Sequence, residues 1–261
     1  MRRFAVAVLA CGFAAAAQAQ QEDGDDKASV RFTLGAGVGI VPRYPGAEDY
    51  RLRAVPVLGV SYGRFFAGGD AGAEGAALGV NLVRDPNWRL GIALAPGFDR
   101  ARRESDHPSL QGLGDIDRAT RGILFGGYTW RWLSAQLRLA SDISGKDQGT
   151  LAFFDLTARY PASERLTLSA GPGVTWASDD YMMTFFGVTP AQSAASTLPA
   201  YDASAGLHAV RFAVGAAYRI DQRWNVFARL GTARLVGDAE ESPITRDRTQ
   251  NLAAVFASYR F

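Results

Sequence analysis

Two histidines, His107 and His208, and one cysteine, Cys11, are the first side chains to ask for nucleophilic or metal chemistry. His107 stands beside Glu104, Ser105 and Asp106, so a Ser-His-Asp set can be written down. A triad needs its nucleophile, base and orienting acid to converge in space, and neighbours within one loop rarely do. The expectation there is a solvated polar loop. His208 opens a predicted strand and is expected to pack or to face water. Asp115 and Asp117 suggest calcium only faintly, because no EF-hand ligand pattern or closing bidentate Glu accompanies them. The glycine runs are not phosphate loops, since no Gly-Lys-Ser/Thr follows them. The expected inventory is therefore no catalytic residue, no metal and no cofactor. The chain is not expected to be an enzyme.

Arginine and a cluster of large apolar side chains remain. Alternation along the predicted strands puts Arg31, Arg53, Arg89, Arg138, Arg159, Arg165, Arg211, Arg219 and Arg229 on one face, with Asp155 among the few acids beside them. Two readings stay open. The arginines form internal ion pairs and water contacts, or they line a pore that favours anions, since charged rings set pore selectivity. The apolar cluster lies in the longest loop, residues 177–205. Tyr181, Met182, Met183, Phe185 and Phe186 precede Gly187 there. Thr189-Pro190 then reads as a helix start, cap followed by Pro at the first position, with Ser193 inside that helix. So much apolar surface should not stand in water. The loop is expected to fold inward as a plug, or else to meet a partner.

These residues need a frame, and the closing stretch shows which one. Counting back from Phe261, every second residue is apolar: Tyr259, Ala257, Val255 and Ala253. A period of two is the repeat of a strand whose faces meet different surroundings. A chain that stops on an aromatic ring suits an outer-membrane barrel. One face would meet lipid, placing Val255, Tyr259 and Phe261 on the membrane side. Leu252 and Phe256 fall on the other face and are expected to fill the lumen.

The same alternation recurs. Strands are predicted over residues 30–41, 51–59, 61–67, 75–83, 88–98, 116–129, 132–143, 150–160, 165–176, 206–220, 223–235 and 251–261. The joins alternate. Those near residues 60, 84–87, 130–131, 161–164 and 221–222 are short, and the others are mostly longer. Short periplasmic turns and longer outer loops give that asymmetry, and an even strand count would put both termini in the periplasm. The fold expected is an all-β, transmembrane, antiparallel up-and-down barrel of about twelve strands, with ten as the fallback if residues 51–83 hold two strands instead of three.

The N-terminus fits export. Arg2 and Arg3, an apolar run and Ala17-Gln18-Ala19 read as a signal peptide over residues 1–19. Residues 20–29 form an acidic leader, and the barrel occupies 30–261. Cys11 lies inside the signal, so the exported chain would hold no thiol. Removing Arg2 and Arg3 takes 28 basic residues to 26, against 26 acidic ones. That balance gives nucleic-acid binding no support. The partner expected first is outer-membrane lipid.

Several pieces also resemble one family. They are Gly39-Ile-Val-Pro-Arg-Tyr-Pro-Gly-Ala-Glu-Asp-Tyr50, Tyr62-Gly-Arg-Phe-Phe66, Leu113-Gly-Asp-Ile-Asp117, Phe185-Phe-Gly-Val-Thr-Pro-Ala-Gln-Ser193, Leu198-Pro-Ala-Tyr-Asp202, Arg234-Leu-Val-Gly-Asp-Ala239 and the closing Tyr-Arg-Phe. Together they resemble the MipA/OmpV family of Gram-negative outer-membrane proteins across the exported chain. The resemblance implies an outer-membrane barrel. It also implies a scaffold that brings a lytic murein transglycosylase together with a bifunctional penicillin-binding protein. Other members are described as porin-like, adhesive or antigenic. No catalytic residue comes with the family.

Overall fold

A computed structural model describes residues 30–68, 77–96 and 102–261. The signal and leader, residues 1–29, lie outside the described residues. The chain forms β1 (Arg31–Pro42), β2 (Tyr50–Tyr62), β3 (Phe65–Gly68), β4 (Ala77–Arg84), β5 (Trp88–Pro96), β6 (Thr120–Trp130), β7 (Leu133–Asp142), β8 (Thr150–Pro161), β9 (Leu166–Ala177), β10 (Gly206–Arg219), β11 (Trp224–Leu235) and β12 (Thr249–Arg260). Each strand pairs antiparallel with the next, and β12 returns to β1 to close the barrel. In that last ladder Ala36 faces Ala257 and Val38 faces Val255. Closure matters physically, because hydrocarbon cannot satisfy an unpaired strand edge. The ten-strand fallback is set aside.

Two boundaries depart from the sequence expectation. No break occurs at Val60. Instead β2 runs on to Tyr62, and the turn is Gly63-Arg64, where Gly63 takes φ +54°. A left-handed position favours glycine, and moving the turn there keeps Val60 and Tyr62 on the outer face. The sixth strand starts at Thr120 and not at residue 116, because the Ile116 amide donates to the carbonyl of Arg102 inside the loop.

The exterior is a band of exposed Leu, Val, Ile and Phe, including Leu34, Leu52, Leu94, Leu137, Phe212 and Leu230. A strand like the 12-residue β1 rises ~30 Å at about 3.3 Å per residue and ~40° tilt, enough for an apolar band of about 25 Å. The short turns gather at one end, the turn end, together with Val30, the first described residue, and Phe261. Aromatic rings collect there: Trp88 lies 4.7 Å from Tyr128, Trp224 5.2 Å from Tyr259, and Tyr259 4.8 Å from Phe261. This matches an interfacial aromatic girdle. The described long loops all stand at the opposite, loop end.

Inside, glycine on one strand faces an aromatic ring from its neighbour. A Cβ on Gly91 would collide with the Phe125 ring, one on Gly79 with the Phe66 ring, and one on Gly37 with the Phe256 ring. This accounts for a sequence rich in both residue types. A narrow barrel holds inward aromatics only where the adjoining wall is bare.

Candidate functional site: a plugged, arginine-lined lumen

The loop between β9 and β10 carries the residues expected to plug the barrel or to meet a partner. Its first part, for which the sequence analysis assigned no helix, is one, α1 (Asp179–Phe186). Asp179 and Asp180 occupy its first turn, where the helix dipole favours negative charge. Tyr181, Met182, Phe185 and Phe186 are buried. That spacing makes one helical face. The face packs inside the barrel wall against a cluster including Ile123, Phe125, Ala140, Leu151, Phe153 and Ala209. Met183 packs half-buried on the same cluster. Gly187 ends the helix, its amide donating to the carbonyls of Met182 and Met183. A second helix, α2 (Pro190–Ala195), starts where Thr189-Pro190 indicated. The Thr189 hydroxyl accepts the Gln192 amide at 3.2 Å, and the exposed Pro190 opens the first turn. The Ser193 hydroxyl donates to the Leu198 carbonyl at 2.8 Å.

Three groups to which the sequence analysis gave no role hold α1 in place. Arg102 is fully buried and its Nη1 donates to the Phe185 carbonyl at 3.2 Å. A cation suits that end of a helix. Burial pushes the guanidinium down to about 10, with Tyr44 opposing the shift, so Arg102 is cationic at neutral pH. Arg121, also buried, donates to the carbonyls of Gln148 and Gly149 and lies 5.9 Å from the centre of the Tyr181 ring. The Ser242 hydroxyl donates to the Phe186 carbonyl from the loop between β11 and β12. His208 is the extra residue of a bulge in β10, which turns it inward beside Tyr181 at 5.7 Å and Phe186 at 5.9 Å. Only alternation signals Arg121, and nothing local signals Arg102, which depends on a contact 83 residues away.

Below the plug the lumen is polar. Arg138 stacks 4.2 Å from the Phe153 ring centre, and Arg89 lies 5.2 Å from that of Phe125 while donating to Asn81 Oδ1 at 2.8 Å. Arg211 pairs with Asp155 at 2.9 Å. Arg53, Arg159 and Arg229 share the inward parity of their strands. Arg165 is instead in the exposed turn before β9. On the closing strand Val255 is 50% exposed and Phe261 67%, whereas Phe256 is 6% exposed and packs with Val55 and Ala254. Leu252 borders the lumen cavity.

The loop around His107 uses its polar groups to fold itself. His107 Nδ1 meets Ser109 Oγ at 2.8 Å, and Glu104 accepts the amides of Gly112 and Gly114. Asp106 accepts the Arg103 amide, and Asp115 accepts that of Glu104. Asp117 pairs with Lys146 at 3.1 Å. Among the described residues no group of three or more His, Cys, Asp or Glu side chains is placed to hold a metal ion.

Comparison with known proteins adds to this geometry. Residues 34–261 match the family described as "MltA-interacting protein MipA". The chain belongs to the MipA family. A relative from Escherichia coli (strain K12), called MltA-interacting protein, is 25% identical over 233 residues, covering 88% of this chain and 90% of the relative. A Shigella flexneri protein of the same name matches equally. Among solved structures the NanC porin is similar at a TM-score of 0.40 and 9% identity, over 88% of this chain and 99% of that one. OmpT, an outer membrane protein of Vibrio cholerae, is similar at 0.39 and 10%, over 89% and 97%. Likeness at that level carries no weight, and the barrel rests on its own strand register. A closed barrel with an apolar outer band, in a MipA-family chain, is an outer-membrane β-barrel.

Proposed function

We propose that this MipA-family barrel is a non-enzymatic scaffold. In this reading it brings a lytic murein transglycosylase to a bifunctional penicillin-binding protein at the outer membrane. The observation that carries it is the family match, whose relatives are named for interaction with MltA. Two features of the molecule support it. The apolar face of α1 occupies the loop end of the lumen, which favours a docking role over passage of solute. The turn end also offers a docking face. Arginine occurs at each corner of that rim: Arg31, Arg64, Arg84, Arg131, Arg165 and Arg223. Of the rim acids, Asp85 and Asp221 each accept two backbone amides within their own turns, and Glu164 stands exposed beside Arg165. An arginine-rich rim fits an acidic protein surface. In this orientation the turns and both termini face the periplasm and the long loops face outward. Residues 1–19 are removed on export, which leaves the acidic leader, residues 20–29, ahead of β1 in the chain.

Pull-down of the detergent-solubilised chain with purified murein enzymes tests the reading. Capture of a transglycosylase by the full chain and by a leader-deleted form is expected. Recovery of neither class of enzyme removes the scaffold.

The inward arginines favour a second reading, a channel that prefers anions. Planar-bilayer recording separates the two. The plugged barrel is expected to be silent, and steady anion-selective conductance of the intact chain would favour the channel.

A further inference from the structure

The lipid face of β11 ends on a cation. From Trp224 in the girdle to Arg234 the strand rises ~25 Å, at about 3.3 Å per residue and ~40° tilt, which is the height of an apolar band. Arg234 therefore stands at headgroup level at the loop end. Thr249 pairs with it, and one same-face step below it Thr232 pairs with Asn251, both exposed. The neighbouring β9 and β10 carry Trp176 and Leu207 at the loop ends of their outer faces.

Above this polar patch the loop between β11 and β12 opens a cleft of about 620 Å³, bordered by Arg234, Glu240, Glu241, Arg246, Asp247 and Arg248. Its size is that of a small-ligand pocket, but such pockets are mostly apolar and this one is polar, so whatever enters must be polar too. Arg234 Nη2 and Arg248 Nη1 share one acceptor, each lying 3.0 Å from Glu240 Oε1, and more than half of each side chain is exposed. A guanidinium has five N–H donors, so both have donors left for a ligand. Arg246 borders the same cleft, 3.6 Å from Glu48. Exposed ion pairs are weak, and a phosphate can compete with Glu240 for both guanidinium forks. The acids also matter. Glu241 is exposed, and Asp247 accepts the Thr249 amide through Oδ1 at 2.8 Å. Such carboxylates repel a bare anion but accept hydroxyl groups. Arginine forks beside carboxylate acceptors suit a ligand that carries phosphate and hydroxyl together, a phosphorylated sugar. Below the cleft, exposed Val210, Phe212 and Leu230 offer apolar surface to acyl chains.

We propose that this cleft binds the phosphorylated sugar headgroup of an outer-leaflet glycolipid, with Arg234 and Arg248 on the phosphate and Glu241 and Asp247 accepting sugar hydroxyls. The site rests on the outward orientation of the long loops given above and is independent of the scaffold role.

The test is native mass spectrometry of the full chain, folded in a zwitterionic detergent. The probes are lipid A (an acylated glucosamine disaccharide with two phosphates), the same lipid after phosphatase treatment, and glucosamine 1-phosphate. Saturable binding of lipid A is expected, and removing its phosphates or making Arg234→Gln with Arg248→Gln should weaken it about tenfold or more. Lys146→Gln, in another loop at the same end, should leave it unchanged. Heat-modifiable mobility on gels reports folding, and Arg248→Gln alone replaces the double variant if that does not fold. No saturable binding of lipid A, or equal affinity in the folded variant, overturns the proposal. Equal binding of the dephosphorylated lipid overturns the phosphate contact, and glucosamine 1-phosphate binding as tightly as lipid A overturns the lipid source. Orientation is read separately. Ala191→Cys on α2 should react with a membrane-impermeant maleimide in intact cells, and reaction only after permeabilisation overturns the outward orientation, whatever lipid A does in detergent.

Discussion

Phe125 fits into the lumen only because residue 91 has no side chain. Gly91→Val should therefore destabilise the barrel by about 1–3 kcal/mol, the usual range for overpacking. Combined with Phe125→Ala, the loss should fall short of the sum of the two single losses, because the clash is shared. Urea midpoints of the heat-modifiable folded band measure both. Arg102 makes a different kind of contact, a charged hydrogen bond to the Phe185 carbonyl. Arg102→Ala leaves that buried acceptor unpaired, at about 1–3 kcal/mol. Amide exchange at residues 183–187 should then rise about tenfold or more while the strands stay protected. Burial sets the folded value of Arg102 at about 10, below that of the unfolded chain. The burial penalty is then constant at neutral pH and eases only as pH rises past that value. Intrinsically corrected exchange of α1 should accordingly be flat from about pH 7 to 9.

At the scale of elements, the closing strand and α1 make separate demands. β12 must seal against β1 while holding one face to lipid and one to the lumen. The proposed membrane face gives a depth-dependent prediction. Val255→Arg, mid-strand, should cost about 2–4 kcal/mol, and Phe261→Arg, at the girdle, about 0–1 kcal/mol. Folding titrations into lipid vesicles measure these costs, and equal values would show that Val255 is not at the centre of the bilayer. For α1, the plug reading predicts that deleting residues 181–198 turns a silent barrel into a conducting one. Unchanged permeability after deletion would leave α1 as packing alone. Its position on Phe125 and Phe153, which also stack on Arg89 and Arg138, links the plug to the charged layer below it.

Across the whole molecule the charge is unevenly distributed. Among the described residues the loop end exposes the acids Glu48, Asp49, Asp115, Asp147, Asp179 and Asp180 beside the cations Arg103, Arg118, Lys146, Arg246 and Arg248, while arginines ring the turn end with Asp85, Glu164 and Asp221 among them. If the rim docks an acidic enzyme, reversing Arg64, Arg131 and Arg223 to Glu should abolish capture in the pull-down. In the unaltered chain capture should weaken as salt rises, since exposed charges are screened over about 8 Å at physiological ionic strength. These three side chains sit in turns outside the ladders, so folding by gel mobility should not change. Capture insensitive to both salt and reversal would move the docking face elsewhere.

Strand number, face assignment and loop asymmetry were legible in the sequence, because each depends on local repeats. Alternation of apolar and small or polar residues marks a two-faced strand wherever it falls, as in Leu166 to Trp176. Thr189-Pro190 announced α2 for the same reason, a cap being a short-range device. The turn at Gly63 escaped because alternation continues through Val60 and gives no sign of where a strand ends. Three features were decided only by tertiary structure. α1 is short, its apolar residues gain a helix only against the barrel wall, and a bare run of Tyr, Met and Phe reads equally well as loop. Arg102 was not legible, since its partner lies far along the chain. The meeting of Arg234 and Arg248 on Glu240 depends on the register of β11 with β12 and on the fold of the loop between them. A sequence sets which face each residue takes, but only the closed barrel sets which residues stand level with one another.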